Sequence, residues 1–473
     1  MEVQGFKLDK YQMKAIKCKA LNTLVVAGAG SGKTLTIVGK IKCINNKRIL
    51  CLTFTKNAAL SLEKKLASEN IKVYTFHGLC FKILNGNFNI VDNSFLNEVI
   101  DRYLLKEKNL HKLFRLNFFE YGKDDFNDLQ NNIILNSKYG DDLKKVLFSF
   151  INLFKANNYN LDKFNDFFKE NNKKNMLFDK WQDKIFLNLA KKVYIGYQKD
   201  LYKSFSMDYH DLINNVLNNF DNLDIPHYEH IIVDEYQDLS FNKMCLIKKI
   251  QEKYGCPIFA VGDDWQSIYK FTGSDVKIFT DFKYFFKKSK TIKLKNTYRN
   301  SKELIKIASF FIMKNPYQLR KKITSFKKNS KPIKVYYYDD IHEIWDKVCS
   351  EVLGDVFVIG RNNKDKETIP FFKKNMKFLT AHRSKGLEAD NVIIINPENF
   401  PSTQKFNKYL KYVYQKDEFP FSEERRLFYV ALTRTKNSNY ILVKRGTYTP
   451  FLNEILKDYS FMVEKLNWFF YLI

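Results

Sequence analysis

The chain has 473 residues, 45% of them hydrophobic, and its 79 Lys and Arg against 52 Asp and Glu give a net charge of +27. This composition excludes a small disulfide-stapled scaffold and a disordered polycation, and the length suggests about three domains. The charge favours a polyanionic partner, either nucleic acid or an acidic membrane surface, although AT-rich coding would also enrich Lys and Asn. The sequence contains no apolar run of 18 residues and no CxxC pair. We therefore expect a cytoplasmic protein, either nucleoid-associated or viral, without a membrane span, disulfide framework or zinc ribbon.

Strand and helix patterns alternate from residue 22 to residue 84, with strands predicted at TLVVAG, RILCLTF and KVYTF. This rhythm predicts a parallel α/β sheet. It stops between residues 88 and 205, where Lys-, Asn- and Phe-rich helices are predicted, and returns at HIIVDEYQ, PIFAVGD and TIKLKNTYRN. A second α/β series runs from KVYYYDD to NYILVKR. We expect a first α/β domain from 1–87 and 206–285, a helical insertion at 88–205, and a second α/β domain at 286–473.

Residues 27–34 read AGAGSGKT, directly after an apolar strand and directly before a helix. This is the context of a phosphate-binding loop, in which glycines let backbone amides face the phosphates beside a helix N-terminus. Lys33 would reach the terminal phosphates, and the Thr34 hydroxyl would hold Mg²⁺. The alternative is a glycine turn that binds no nucleotide.

Two consecutive acids, Asp234 and Glu235, end the apolar strand of IIVDEYQD. One carboxylate can hold the metal ion, and the other can orient or deprotonate an attacking water. Two such acids are costly at the end of a buried strand without a cation, although a solvated turn is the alternative.

These two blocks and seven further blocks, given below, resemble the motifs of superfamily 1 helicases of the UvrD/Rep family and follow the same order. The resemblance is strongest to the helicase IV branch. The resemblance extends from Gln12 to Arg434 and implies two RecA-like P-loop NTPase domains. The remaining blocks are LDKYQ (8–12), LTFTKNAALSLEKKL (52–66), VYTFHGL (73–79), VGDDWQSIYKF (261–271), KNTYRNS (295–301), LTAHRSKGLEADNVIII (379–395) and EERRLFYVALTRT (423–435).

The resemblance implies ATP and Mg²⁺ as cofactors. Gln12 would read the adenine, Tyr298 would stack on it, and Glu388 would accept from the ribose. Arg299 and Arg434 would be the cations that sense the γ-phosphate across the cleft, and Gln266 would connect that phosphate to the DNA groove. The implied catalytic residues are Lys33, Asp234, Glu235, Gln266, Arg299 and Arg434, with Thr34 and Asp234 at the metal. The implied nucleotide-binding residues are Gln12, Ala27, Gly28, Ala29, Gly30, Ser31, Gly32, Lys33, Thr34, Thr36, Tyr298, Arg299, Glu388 and Arg434.

A grip on single-stranded DNA that ignores sequence needs aromatic platforms beside basic residues, because every base has a π face. The resemblance assigns base stacking to Phe54, Tyr269 and Phe271, the last in place of the family's usual tryptophan. Lys56, His77 and His382 are further candidates, for contacts with the DNA backbone. The expected partners are single-stranded DNA and 3′-tailed duplexes, without a membrane. The apolar C-terminal segment SFMVEKLNWFFYLI would pack on the second domain or dock a protein partner.

The sequence therefore predicts an ATP-dependent 3′–5′ DNA helicase or translocase acting in repair, replication or recombination. One alternative is a single-strand translocase that displaces proteins or drives a nuclease or defence complex, since only about 80 residues separate Arg299 from Thr380. A large regulatory domain fills this interval in long UvrD-like helicases. Another alternative is a nucleotide-gated nucleic-acid binding module without motor activity.

Overall fold

The computed structural model describes residues 2–44, 47–66, 68–86, 88–107, 137–173, 176–402, 408–414 and 419–467. Their strands are β1 (Glu2–Val3), β2 (Phe6–Lys7), β3 (Asn22–Val26), β4 (Ile49–Thr53), β5 (Ile71–Thr75), β6 (Asn89–Ile90), β7 (Ser206–Met207), β8 (His230–Val233), β9 (Ile258–Gly262), β10 (Ser289–Lys293), β11 (Ile333–Tyr338), β12 (Val356–Gly360), β13 (Met376–Thr380), β14 (Ala389–Ile394), β15 (Thr435–Lys444) and β16 (Val463–Asn467). Their helices are α1 (Lys10–Ile16), α2 (Lys33–Cys43), α3 (Lys56–Leu66), α4 (Phe76–Leu84), α5 (Asn93–Lys106), α6 (Lys138–Ala156), α7 (Lys163–Asn172), α8 (Leu177–Lys203), α9 (Tyr209–Asn218), α10 (Phe241–Tyr254), α11 (Val276–Thr280), α12 (Phe282–Phe285), α13 (Lys302–Met313), α14 (Ile341–Glu351), α15 (Ser422–Leu432) and α16 (Pro450–Tyr459).

The first sheet consists of six parallel strands in the order β10-β3-β9-β8-β4-β5. Strands β3, β4 and β9 are buried along their whole length, as expected of a parallel sheet covered on both faces. Leu24 and Val26 of β3 enter the core on one face, and Val25 enters the core on the other. The carboxyl ends of β3, β8 and β9 lie side by side, so the loops that follow them can share one site.

The second sheet also has six parallel strands, in the order β13-β12-β14-β15-β11-β16. Buried side chains cover both of its faces in two separate clusters. The fold class predicted from the sequence, two α/β domains with parallel sheets, is confirmed.

Strand β10 differs from the expectation, because the sequence predicts that the second domain begins at residue 286. The structure pairs β10 with β3 in the first sheet, from Ser289 opposite Asn22 to Lys293 opposite Val26. This partner lies more than 260 residues away along the chain, which explains why a local pattern could not reveal it. The first α/β unit therefore extends at least to Lys293.

Among the described residues, helices α5 to α8 belong to the insertion, and β6 pairs with β7 at its base. Its core is rich in aromatic rings, and Lys155 is buried there beside Asp208 and Asp211, with 2.6 Å from its Nζ to Asp211 Oδ2. Residues 408–414, which we name the crossing segment, leave the second α/β unit and pack into this core.

Ring stacking and hydrogen bonds hold the crossing segment. Tyr409 is fully buried and stacks on Phe186 with ring centres 4.3 Å apart, and the Tyr412 hydroxyl donates to Asp183 Oδ2 at 2.6 Å. The insertion is thus tied to both α/β units.

The C-terminal segment contributes strand β16, which pairs in parallel with β11 at the edge of the second sheet. Residues 468–473 of that apolar segment lie outside the described part of the chain. Among the described residues, no helix combines the length and apolar character needed to cross a bilayer.

Candidate functional site

The phosphate-binding loop spans Ala27, Gly28, Ala29, Gly30, Ser31 and Gly32, between β3 and α2. Gly30 and Gly32 have φ values of 68° and 78°, in the left-handed region that favours glycine. A Cβ on Gly30 would also lie 2.5 Å from Arg299 Cβ. The Ser31 hydroxyl is buried and has no hydrogen-bond partner among the described residues. This unsatisfied group suits the loop to a ligand rich in acceptors, such as a phosphate.

Lys33 and Thr34 begin α2 directly after this loop. Lys33 Nζ lies 3.0 Å from Glu235 Oε1. Burial opposes the charge on Lys33, but Glu235, Asp263 and Asp234 together raise its pKa. Thr34 remains partly exposed, whereas the buried Thr36 donates its hydroxyl to Gly32 O at 3.0 Å. The Thr36 side chain therefore supports the backbone of the loop. Its predicted contact with the nucleotide stays a prediction.

Asp234 and Glu235, which we name the acid pair, directly follow β8. Asp234 Oδ1 accepts from the Glu235 amide at 2.9 Å, and Glu235 holds a left-handed φ of 49°. Burial and the neighbouring Glu235 raise the pKa of Asp234 to about 7. Burial would also raise the pKa of Glu235, but Lys33 and Lys385 outweigh it and lower that pKa to about 2. The pair thus holds one carboxylate firmly ionised and leaves the other in need of a cation.

That need fits Mg²⁺, a hard cation that takes oxygen ligands. Within the described residues, no cluster of three or more His, Cys, Asp or Glu side chains could hold a metal ion. A magnesium ion at Asp234 and Thr34 would therefore take its other ligands from phosphates and water.

Gln12 and Tyr298 both form hydrogen bonds with Asp9. Gln12 Nε2 donates to Ser31 O at 3.3 Å, and its Oε1 accepts from the Asp9 amide at 2.9 Å. The Tyr298 hydroxyl donates to Asp9 Oδ2 at 2.7 Å, while 45% of the Tyr298 residue stays exposed. Asp9 was missed by the sequence analysis, although an Asp three residues before Gln12 is the pattern of a helix capping box.

The two predicted arginines lie across the cleft from the acid pair. Arg299 Nε pairs with Glu388 Oε2 at 2.7 Å, which brings together two residues predicted to contact the nucleotide. Arg434 is 1% exposed, and its Nη2 donates to Gln266 Oε1 at 3.1 Å. Burial and the nearby Arg299 lower the pKa of Arg434, but a guanidinium keeps its charge at neutral pH.

Lys321 was also missed, because it lies outside every motif. Its buried ammonium pairs with Asp263 and Asp264, at 2.6 Å from Asp264 Oδ1, and donates to Ala27 O at 2.9 Å. Asp263 Oδ2 in turn accepts from Gln266 Nε2 at 2.5 Å. Hydrogen bonds therefore run from the phosphate-binding loop through Lys321, Asp263 and Gln266 to Arg434.

Four of the six predicted DNA contacts form one aromatic cluster, although they come from three motifs and both sheets. Phe54 and Tyr269 stack with centres 5.1 Å apart and planes 15° apart. Phe271 meets Tyr269 at 6.1 Å and His382 at 5.5 Å, and is 54% exposed. The structure therefore provides the contiguous ring surface that stacking on bases requires.

The other two predicted contacts, Lys56 and His77, are not among the ring contacts of this cluster. Lys56 is exposed at the start of α3. His77 packs against Tyr209 at 4.9 Å, and burial, Lys243 and His210 lower its pKa to about 3. His77 is therefore neutral at physiological pH and would contact DNA as a hydrogen-bonding group without charge.

Lys385 links the aromatic cluster to Asp238. It lies within a motif, but its role was not predicted from the sequence. Its ammonium bonds to Asp238 Oδ2 and donates to Gln266 O at 2.7 Å. It also lies 4.7 Å from the ring centre of Tyr269. The Lys385 side chain, from the second α/β unit, thus contacts Asp238, Gln266 and the aromatic cluster.

Comparison with known families matches residues 8–287 to the UvrD/REP helicase N-terminal domain and residues 356–446 to the UvrD-like helicase C-terminal domain. DNA helicase IV of Escherichia coli (strain K12) is 26% identical over 97% of this chain and 71% of its own length.

Two further relatives are the ATP-dependent DNA helicases Rep of Buchnera aphidicola and PcrA of Bacillus subtilis. They are 26% and 27% identical over 83% and 76% of this chain. The chain spans only 61% of the length of this Rep protein and 48% of this PcrA protein.

Proposed function

The chain belongs to the UvrD/Rep helicase family, and from this premise we propose that it is an ATP-driven motor that moves 3′ to 5′ on single-stranded DNA. The motor would open 3′-tailed duplexes in DNA repair, replication or recombination. The 3′–5′ direction follows from the family resemblance.

The residues of the first α/β unit support the hydrolytic half of this proposal. ATP with Mg²⁺ would supply the reactive phosphoryl group. Lys33 would then exchange its contact with Glu235 for the terminal phosphates, and the freed Glu235 carboxylate would orient the attacking water. Arg299 and Arg434 would stabilise the charge that develops on the phosphoryl oxygens from the opposite side of the cleft.

The contact set of Lys385 is the observation that carries the motor assignment. Its ammonium contacts Asp238, the Gln266 carbonyl and the Tyr269 ring. A change in the distance between the two units would therefore alter the contacts with Asp238, Gln266 and Tyr269 together. This connection favours a motor over a module that binds nucleic acid and nucleotide without coupling them.

The grip on DNA would come from the aromatic cluster. Phe54 and Tyr269 are in ring contact, so a base could enter between them only if they moved apart. Phe271 already offers more than half of its surface to solvent. A base would therefore first stack on Phe271, and a second would enter when the units shift.

Protein displacement is a second candidate function, favoured by what lies between Arg299 and Thr380. Residues 300–379 are all described, and their helices and strands, α13, β11, α14, β12 and most of β13, belong to the second α/β unit. No additional domain occupies this interval. A chain without one would translocate and strip proteins from single strands more readily than it would unwind long duplexes.

Three assays on the purified protein test the proposal. We expect ATP hydrolysis to rise on addition of single-stranded DNA, unwinding of 3′-tailed but not 5′-tailed duplexes, and displacement of streptavidin from biotinylated single strands. ATPase activity indifferent to DNA would contradict the motor. Streptavidin displacement without unwinding would select the translocase.

A further inference from the structure

Lys243 is a buried cation to which neither the motifs nor the family resemblance assign a role. It lies on α10, and only 6% of the residue is exposed. Its ammonium is 4.8 Å from the ring centre of Phe54 and 5.9 Å from that of Phe76. Phe54 is a predicted base platform, so this cation lies directly beneath the proposed DNA path.

The groups around Lys243 do not neutralise it. Asp238 is the nearest acid in electrostatic terms, but its Oδ2 is bound to Lys385. His77 and His210 both feel the charge of Lys243, and burial lowers their pKa values to about 3 and about 4, so both are neutral. Among the described residues, the Lys243 ammonium contacts rings but makes no hydrogen bond or ion pair.

A buried ammonium without an acceptor is costly, and contact with an aromatic face offsets only part of that cost. Burial accordingly lowers the pKa of Lys243 to about 8. The cost would be offset by an anionic ligand that arrives from outside the protein and takes the three N–H donors of the ammonium.

We propose that Lys243 binds a backbone phosphate of the single strand whose base stacks against Phe54. The inference rests on the proposed function, because it needs a strand on the aromatic cluster. The ammonium lies 4.8 Å from the Phe54 ring centre, and its charge also lowers the pKa of His77, a predicted backbone contact. A phosphate at Lys243 would join these separated contacts into one path across the first α/β unit.

The salt dependence of DNA binding distinguishes this role from simple packing. Each phosphate contact on a single strand contributes a slope of about −0.7 to the plot of log affinity against log salt concentration. Lys243→Met, which preserves the apolar stem, should make the oligo-dT slope shallower by about 0.7. The loss of affinity should be roughly 8-fold at about 0.05 M salt and roughly 3-fold at about 0.2 M.

Lys248→Met is the matched control, since Lys248 lies on the same helix, its side chain is 45% exposed, and its Nζ lies 3.9 Å from Glu252 Oε1. It should leave the slope unchanged, and Lys243→Arg, which keeps the charge, should largely preserve it. An oligonucleotide with single neutral methylphosphonates adds a second test. One position should weaken binding to the wild type, and the same position should have no effect on Lys243→Met.

An unchanged slope in Lys243→Met overturns the proposal, whether or not affinity falls, because weaker binding at constant slope means that the ammonium only positions Phe54. If Lys243→Met does not fold, Lys243→Arg and the methylphosphonate series on the wild type remain decisive, and insensitivity at every position overturns the inference. A wild type that does not bind single strands would instead defeat the proposed function.

Discussion

Arg434 Nη2 lies 3.1 Å from Gln266 Oε1, so a buried guanidinium of the second α/β unit holds a side chain at the edge of the first. The same amide donates to Asp263 through its Nε2. Gln266 is 4% exposed and uses both ends of its amide within this contact. Its geometry is therefore fixed jointly by the two units.

We expect Gln266→Ala to uncouple hydrolysis from DNA. The substitution removes the bridge between Arg434 and Asp263 while leaving Lys33 and the acid pair in place. DNA affinity should stay within about 2-fold, whereas DNA-stimulated ATP turnover should fall at least ~100-fold, the cost of one lost preorganised contact in a transition state. Steady-state ATPase assays with and without oligo-dT measure this. Full stimulation by DNA would contradict the role assigned to Gln266.

Lys33→Ala should abolish hydrolysis. The change removes a cation from the terminal phosphates, where it would be worth on the order of 3 kcal/mol or more in the transition state, so turnover should fall at least ~100-fold. Lys42→Ala provides the control, because Lys42 is exposed near the other end of α2. Near-normal ATPase activity in Lys33→Ala would refute the nucleotide site.

Phe271→Ala should weaken DNA binding with little effect on stability. Because 54% of Phe271 is exposed, truncation leaves no large core cavity, and the melting temperature should change little. The loss of stacking should cost roughly 1–3 kcal/mol of binding free energy. Fluorescence anisotropy with labelled oligo-dT and thermal unfolding give the two values. A lower melting temperature with unchanged DNA affinity would show that the ring serves the core.

Lys155→Met should destabilise the insertion. Lys155 is 1% exposed and neutralises the buried Asp208 and the partly buried Asp211, so its removal leaves both acids without this cation. Breaking such a pair typically costs about 3–5 kcal/mol. Lys145→Met on the same helix is the control, because its side chain is 76% exposed. Thermal unfolding followed by circular dichroism should show a clearly lower midpoint for Lys155→Met alone, and adding Asp211→Asn should restore part of it.

His210 should make stability depend on pH. Burial, together with Lys243 and Lys155, lowers its pKa from 6.5 to about 4, with Asp208 opposing the shift. Between these values the unfolded chain binds a proton that the folded chain does not, so stability falls as pH drops through this window, by at most about 1.4 kcal/mol per pH unit. His210→Gln should give a flatter curve of urea midpoint against pH than either the wild type or His342→Gln, whose histidine is exposed. Equal slopes would contradict this assignment.

The parts of the site that sequence could predict are those written in short contiguous blocks. The loop at residues 27–34, the acids after β8 and the aromatic residues of VGDDWQSIYKF each combine a local chain geometry with a chemical requirement. The structure brings Phe54, Tyr269, Phe271 and His382 into one cluster, as a shared DNA path requires. Whether they bind DNA stays a prediction.

The features of the fold and the site that the sequence could not predict depend on contacts between distant segments. Lys321 has no local pattern, and its importance is visible only where the fold places it against Ala27 and Asp263. Strand β10 has an ordinary strand pattern, but nothing in it specifies β3 as its neighbour. In the sequence, Lys243 looks like any other lysine on an amphipathic helix, and only the structure shows that it is buried.

The crossing segment also has a consequence for the order in which the chain is made. Tyr409 and Tyr412 complete an aromatic core whose other members end near residue 201. On the ribosome, about 200 further residues must be synthesised before those two rings can enter it. Part of the apolar core of the insertion therefore stays exposed until most of the second α/β unit has been synthesised. We expect chaperones to bind the nascent chain during this interval.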